Sequence, residues 1–216
     1  MSTKYIASNW RLPNKAGVDS NLNDNYGLSF NGTSSIINFG NITELQGATN
    51  ASFSMWLNVN STGTEGLFNQ WGTGTDQLIY AFINISLGRI DVYVNTNLRF
   101  RVSGNSIISS LSTGEWFNLT FVYDGTQATS TDRVKAYINN QELTGNVVGG
   151  PTSLYSSTTD FILGTYPSGT YFDGKMSEFS IFDYTLSESQ ISTLYGSSSL
   201  GAGNPLALKP APVAYY

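Results

Sequence analysis

The 216-residue sequence contains no cysteine and no histidine. Those two absences exclude a disulfide framework, a thiolate nucleophile, a zinc or haem site of the usual ligands, and any triad built on imidazole. Charge is scarce as well. Lys and Arg number 10 and Asp and Glu 15, so 12% of residues are charged and the net charge is −5. That balance offers no electrostatic footprint for nucleic acid or for an anionic membrane surface. Long apolar runs are also missing: residues 78–83 are among the longest, against the roughly 18 residues that a membrane helix needs. Residues 1–10 lack the ~7–15-residue apolar segment of a secretory leader, so none is expected. What the chain does have is 22 glycines, abundant Ser, Thr and Asn, and 13% aromatic residues. Each buried aromatic removes roughly 150–250 Å² from water, enough in sum for one sizeable core.

Residues 1–25 are polar and aperiodic, broken by Asn9, Pro13, Asn14 and Gly17, and read as an N-terminal arm. Trp10 in that arm is a candidate to pack on a partner subunit. From residue 26 the pattern becomes short alternating runs between turn residues, as in an antiparallel β-sandwich. Runs at 26–30 and 35–39 flank Asn31-Gly32, which favours a hairpin because a type I′ turn needs positive φ. Residues 51–59 put Phe53, Met55, Leu57 and Val59 on one face. Further strands are predicted at 67–71, 78–85, 90–94, 98–102, 116–123, 133–138, 160–164 and 175–183. One short helix is signalled by Ser187 as cap, Gln190 three residues on, and Gly196 at the end. Ile191, Leu194 and Tyr195 share one face of it, so it is expected to plug one end of the sandwich. Residues 197–212 are rich in Ser, Gly, Ala and Pro and read as a linker. It ends in Val213-Ala-Tyr-Tyr216, which either opens a further strand of a longer polypeptide or docks on a neighbour. The chain thus divides into an arm (1–25), a sandwich domain (26–196), and a linker and tail (197–216).

Four segments carry a family likeness in their order and spacing. They are Tyr26-Gly-Leu-Ser-Phe-Asn-Gly-Thr, Ala51-Ser-Phe-Ser-Met-Trp-Leu, Thr113-Gly-Glu-Trp-Phe-Asn-Leu-Thr-Phe-Val-Tyr-Asp-Gly and Phe172-Asp-Gly-Lys-Met-Ser-Glu-Phe-Ser-Ile-Phe-Asp-Tyr-Thr-Leu-Ser. With Val134-Lys-Ala-Tyr-Ile-Asn-Asn between the last two, they resemble the laminin-G-like, pentraxin-related branch of the concanavalin A-like jelly rolls. The resemblance implies an all-β, two-sheet antiparallel jelly roll with one short C-terminal helix. Its aromatic interior points would be Phe30, Phe53, Phe121 and Phe179. The neutral, cysteine-free style is similar to laminin-G-like modules of phage virion proteins, which implies a virion location, with an extracellular or cell-surface one as the alternative.

Chemistry for catalysis is sparse. Glycosidases on this fold use two carboxylates about 5.5 Å apart for retention or up to ~9.5 Å apart for inversion. The retaining members carry Glu-x-Asp-x-x-Glu, and no Glu-x-Asp occurs here. Asp173 and Glu178, like Asp183 and Glu188, are five apart and fall on opposite strand faces, so Glu178 and Asp183 read as outward or turn residues. No glycine-rich phosphate loop precedes a helix. The expectation is therefore no enzyme, a glycoside hydrolase being the least favoured alternative. Calcium is held by many relatives of this type on hard loop oxygens. The pentraxin-type position here reads Thr165-Tyr-Pro-Ser-Gly169 without a carboxylate, so that site is not carried over. Asp76, ahead of the 78–85 strand, matches one laminin-G ligand and is the one candidate for calcium, otherwise a plain turn residue. Saccharides need aromatic faces and short polar side chains. Asn69-Gln-Trp-Gly-Thr-Gly-Thr-Asp76 and Thr165-Tyr-Pro-Ser-Gly-Thr-Tyr171 have that composition, nominating Trp71, Tyr166, Tyr171 and Asn69. Trp71 has a second reading, closing the core edge.

The expectation is a non-catalytic binding or adhesion module, a virion surface, fibre or tail component that contacts glycans or a host surface. It would be oligomeric, meeting other virion subunits through 1–25 and 197–216, without nucleic-acid partners or membrane insertion. The alternative is a purely structural virion assembly protein without a ligand pocket.

Overall fold

A computed structural model of the protein describes residues 27–74, 76–95, 98–196 and 202–216. The predicted arm at 1–25 with Trp10, and the first part of the predicted linker, lie outside the described residues. In chain order the strands are β1 (Leu28–Asn31), β2 (Ile37–Asn38), β3 (Asn50–Val59), β4 (Thr64–Trp71), β5 (Gln77–Asn84), β6 (Arg89–Val94), β7 (Leu98–Val102) and β8 (Trp116–Asp124). They continue as β9 (Val134–Ile138), β10 (Gln141–Leu143), β11 (Asn146–Val148), β12 (Ile162–Leu163), β13 (Thr165–Tyr166), β14 (Thr170–Tyr171), β15 (Asp173–Phe182) and β16 (Ala214–Tyr215). A single-turn helix α1 (Ser106–Ser109) and the longer α2 (Glu188–Tyr195) complete the elements used below.

Two antiparallel sheets face each other. The first runs β1-β15-β3-β8-β9-β10 with β16 also on β15, and the second runs β11-β7-β6-β5-β4-β12-β2. Strand alternation explains the sandwich: on β3, Phe53, Met55, Leu57 and Val59 face inward, and on β5 so do Ile79, Ala81 and Ile83. Phe30, Phe53, Phe121 and Phe179 are all buried, as the resemblance implies. Phenylalanine rings link the layers: Phe53 lies 4.9 Å from Phe68, Phe68 5.4 Å from Phe161, and Phe161 5.8 Å from Phe179. The fold is an all-β, two-sheet antiparallel jelly roll, with α2 as its C-terminal helix.

Four local expectations change. Asn31-Gly32 does not close a hairpin, because β1 pairs with β15 and β2 with β12 in the other sheet. The Asn31 carboxamide oxygen accepts the amides of Thr33, Ser34 and Ser35, which turns the chain from one sheet to the other. The α2 ends are as read, with a capping box between Ser187 and Gln190 and Gly196 at φ +76. Yet α2 does not plug an end of the sandwich. Ile191 and Leu194 pack on Val122, Tyr137 and Phe182, outward positions of the first sheet that are apolar and need a cover. Tyr195 stacks on Trp56 at 5.8 Å.

The tail, expected on a neighbour or as the start of another strand beyond, docks on its own domain. Leu208 joins the cluster under α2, and β16 pairs with β15 through Ser180–Tyr215 and Ile181–Ala214. Glu178 is also not an outward residue. A register shift between Ser177 and Ser180 bulges β15, with Glu178 buried at φ +54. The Tyr215 hydroxyl donates to its carboxylate at 2.5 Å. Burial pushes that carboxyl up to about 7, with the Tyr215 hydrogen bond opposing.

Candidate functional site

With the outer face of the first sheet roofed by α2 and the tail, the outer face of the second sheet is the less covered layer, its tyrosine and arginine side chains half-buried and Phe82 and Asp91 buried. Its residues stand in rows set by the register. One row runs Asn69, Tyr80, Tyr93, Arg99 across β4, β5, β6 and β7. The next runs Gly66, Phe82, Asp91, Arg101. Tyr80 and Tyr93 stack with centroids 4.4 Å apart, and Trp71 at the end of β4 meets Tyr80 edge-on at 4.6 Å. Cross-strand aromatic pairs of this kind also stabilise the sheet.

The β13–β14 ribbon lies across this face. Gly66 permits it, since a Cβ there would stand 2.4 Å from the Thr170 carbonyl oxygen and 2.6 Å from the Tyr166 nitrogen. The ribbon carries Tyr166 to 4.9 Å from the Phe82 ring and 6.1 Å from Tyr80. Asn69 donates its amide to the Thr165 carbonyl at 3.1 Å, fastening the ribbon to β4. Thr165 pairs with Tyr171 and Tyr166 with Thr170, so Tyr171 lies on the opposite face of the ribbon from Tyr166. Of the sequence candidates, then, Trp71, Tyr166 and Asn69 come together on one face. Tyr171 turns away from them.

Charge completes the face. Asp91 is fully buried; one oxygen accepts from Arg89 Nε and the other from Arg101 Nε at 2.5 Å. The two arginine side chains remain 26% and 30% exposed. Burial works against the Arg101 guanidinium, and the Asp91 hydrogen bond and charge more than offset it, so its pKa lies above the ordinary value. Burial, reinforced by Tyr93, raises the Tyr80 hydroxyl, keeping it a neutral donor. Arg89 also sits 5.1 Å from the Phe82 ring centroid. Arg99 differs from its neighbours: its Nε is buried without a hydrogen-bond partner.

Tyr80, Tyr93, Arg99 and the Asp91 cluster were not among the sequence candidates. Their signal is the alternation Tyr80-Ala-Phe82, Asp91-Val-Tyr93 and Arg99-Phe-Arg101, where outward positions carry rings and guanidinium groups. Asp76 lies beyond the end of this face. Its two oxygens accept from the Thr158 amide at 2.7 Å and hydroxyl at 2.8 Å. Among the described residues no three acidic side chains gather as a metal-binding group.

This two-sheet jelly roll has one outer face roofed and the other bearing rings and hydrogen-bond donors. The chain belongs to the Concanavalin A-like lectin/glucanases superfamily, whose laminin-G-type model matches residues 31–192. Solved structures share the fold. A heptameric SAP-like pentraxin from Limulus polyphemus superposes with a TM-score of 0.60 at 16% identity, over 82% of this chain and 84% of that one. A Bacteroides ovatus protein named for carbohydrate binding gives 0.59 at 17% identity, over 88% of this chain and 50% of that one. Domain 4 of an extracellular arabinanase from Geobacillus stearothermophilus, solved with arabinotriose, gives 0.51 at 20% identity, over 81% of this chain and 76% of that one. No curated protein matches the sequence.

Proposed function

We propose that the protein is a non-catalytic carbohydrate-binding module that takes its saccharide on the outer face of the second sheet. The observation that carries this reading is the ring cluster of Trp71, Tyr80 and Tyr93 with Tyr166 laid against it. Such rings pack against the C–H faces of sugars, while tyrosine hydroxyls and guanidinium groups reach sugar oxygens. Similar folds support it, one in a protein named for carbohydrate binding and one solved with arabinotriose. The carboxylates point the same way. Asp91 is the acidic residue in the two central rows, and both its oxygens are occupied by arginines. A glycosidase requires two carboxylates across the scissile bond, which these rows do not supply.

The finer reading is a phage virion component, on a fibre, tail or capsid surface, that contacts host glycans. The sparsely charged, cysteine-free composition supports it. Oligomeric display would multiply modest single-site affinities, as the heptameric state of the similar pentraxin illustrates. Subunit contacts would then fall to the arm at 1–25, since residues 202–216 engage their own domain. The test is a glycan array with the 216-residue chain and its Trp71→Ala and Tyr166→Ala variants. Specific binding should weaken by about tenfold or more in each variant, the loss typical of a stacking anchor. No binding, with normal incorporation into particles, would establish the structural assembly protein instead.

A further inference from the structure

The open face carries charge as well as rings, and its charge runs against that of the molecule. The chain as a whole is −5, with 10 Lys and Arg. Three of those ten, Arg89, Arg99 and Arg101, lie on the adjacent strands β6 and β7. Asp91 is the single acid among them, so the local sum is 3 − 1 = +2. The arginines divide into two kinds. Arg89 and Arg101 are tethered to Asp91 from either side. Arg99 stands one register row away, directly opposite Tyr93, and its Nε is buried with no acceptor. That nitrogen is itself closed to solvent, but Arg99 as a whole is only half-buried and no carboxylate pairs with it among the described residues, so its guanidinium charge is not neutralised as the other two are.

We infer that this face is specific for acidic saccharides, with an anionic group of the sugar, carboxylate or sulfate ester, docking on Arg99. The inference rests on the carbohydrate-binding reading above and adds the ligand class. A guanidinium presents a planar fork of donors that pairs with two oxygens of such a group at once, which a neutral hydroxyl cannot match. The neighbouring ring of Tyr93 then abuts the body of the charged sugar. Adjoining residues of the oligosaccharide extend along Tyr80 toward Trp71 and Tyr166, in the direction of the row. A nucleic-acid backbone fits poorly, because it needs cations distributed over a longer track than three arginines on an otherwise acidic protein.

The experiment is calorimetric titration of the full chain with matched probes: oligogalacturonate against its carboxyl-reduced form, and dextran sulfate against dextran. At least one acidic member should bind about tenfold more tightly than its neutral partner, the increment of one charge-assisted contact. The arm in which the preference appears identifies the anionic group. The preference should shrink as salt is raised. It should vanish in Arg99→Gln and survive in part in Arg99→Lys, which keeps the charge without the fork. Lys135→Gln makes the same change in net charge on the roofed sheet, where Lys135 faces Glu142 at 3.5 Å, and should leave the preference intact. Melting curves of each variant separate loss of binding from loss of fold. Equal affinity for acidic and neutral members would overturn the inference and leave the carbohydrate reading standing. A preference that persists in folded Arg99→Gln would overturn the assignment to Arg99. Binding to none of the four probes, with a neutral glycan bound on the array, would likewise overturn the inference alone.

Discussion

Asp76, Asp91 and Glu65 hold carboxylates that could serve chemistry, and each is occupied as a fastener, Asp76 and Glu65 between distant segments and Asp91 between neighbouring strands. Asp76 accepts two hydrogen bonds from Thr158, 82 residues on. Hydrogen bonds from Ser157 and then Thr158 hold its pKa below the ordinary aspartate value. Glu65 accepts the Asp173 amide at 2.7 Å, and burial raises its pKa despite that bond. Asp91 lies between two arginines. These pairings bear on calcium, for which Asp76 is the candidate read from the sequence. A cation there would have to displace the Thr158 donors and find further oxygens nearby. Millimolar calcium should therefore move the melting temperature by less than ~2 °C, since stabilisation by linkage requires real occupancy. A rise of many degrees in a thermal melt, lost in Asp76→Ala, would show that the cation replaces Thr158.

Two elements respond to single changes in different ways. The β13–β14 ribbon rests on Gly66, where even a methyl group would collide with ribbon backbone atoms. Gly66→Ala should lift the ribbon and destabilise the domain by about 1–3 kcal/mol, the usual range for overpacking. It should also draw Tyr166 off Phe82 and weaken saccharide binding, while spectra of the phenylalanine core stay unchanged.

The β15 bulge makes a pH-dependent element. Glu178 is raised from 4.5 to about 7 by burial, so the fold prefers its protonated form. That contribution is fully present below pH 4.5 and is lost as pH rises through about 7. Glu178→Gln should therefore match the parent near pH 4.5 and exceed it at pH 8 by about 2–3 kcal/mol. Urea unfolding at the two pH values measures this directly, and a difference independent of pH would contradict it.

Legibility in the sequence follows the same division of elements. The ends of α2 were readable because capping chemistry is local to Ser187, Gln190 and Gly196. The long strands were readable because alternation is local too. What alternation cannot supply is which strands become neighbours. Trp71, Asn69 and Tyr166 stood out beside turn residues, whereas Tyr80, Tyr93 and Arg99 passed as the solvent side of ordinary strands. Only the register aligns them in one row. Likewise, the odd spacing of Asp173 and Glu178 was read for a regular strand, and the bulge cancels that rule.

At the scale of the whole molecule, the two outer faces have opposite fates. The first sheet presents Trp56, Val122, Tyr137 and Phe182, and the chain covers them with α2 and the tail. The second sheet presents rings and guanidinium groups and is covered in part by a two-stranded ribbon. On the proposed reading, a fold that roofs one apolar face and leaves the mixed aromatic and cationic one less covered binds from that side alone. The most direct test of that claim is an amide chemical-shift titration of the full chain with the tightest-binding oligosaccharide found on the array. Shifts confined to β4–β7 and residues 165–171 are the result predicted. Shifts centred on α2, the Asp76 loop or the 202–216 tail, with β5–β7 unmoved, would contradict it.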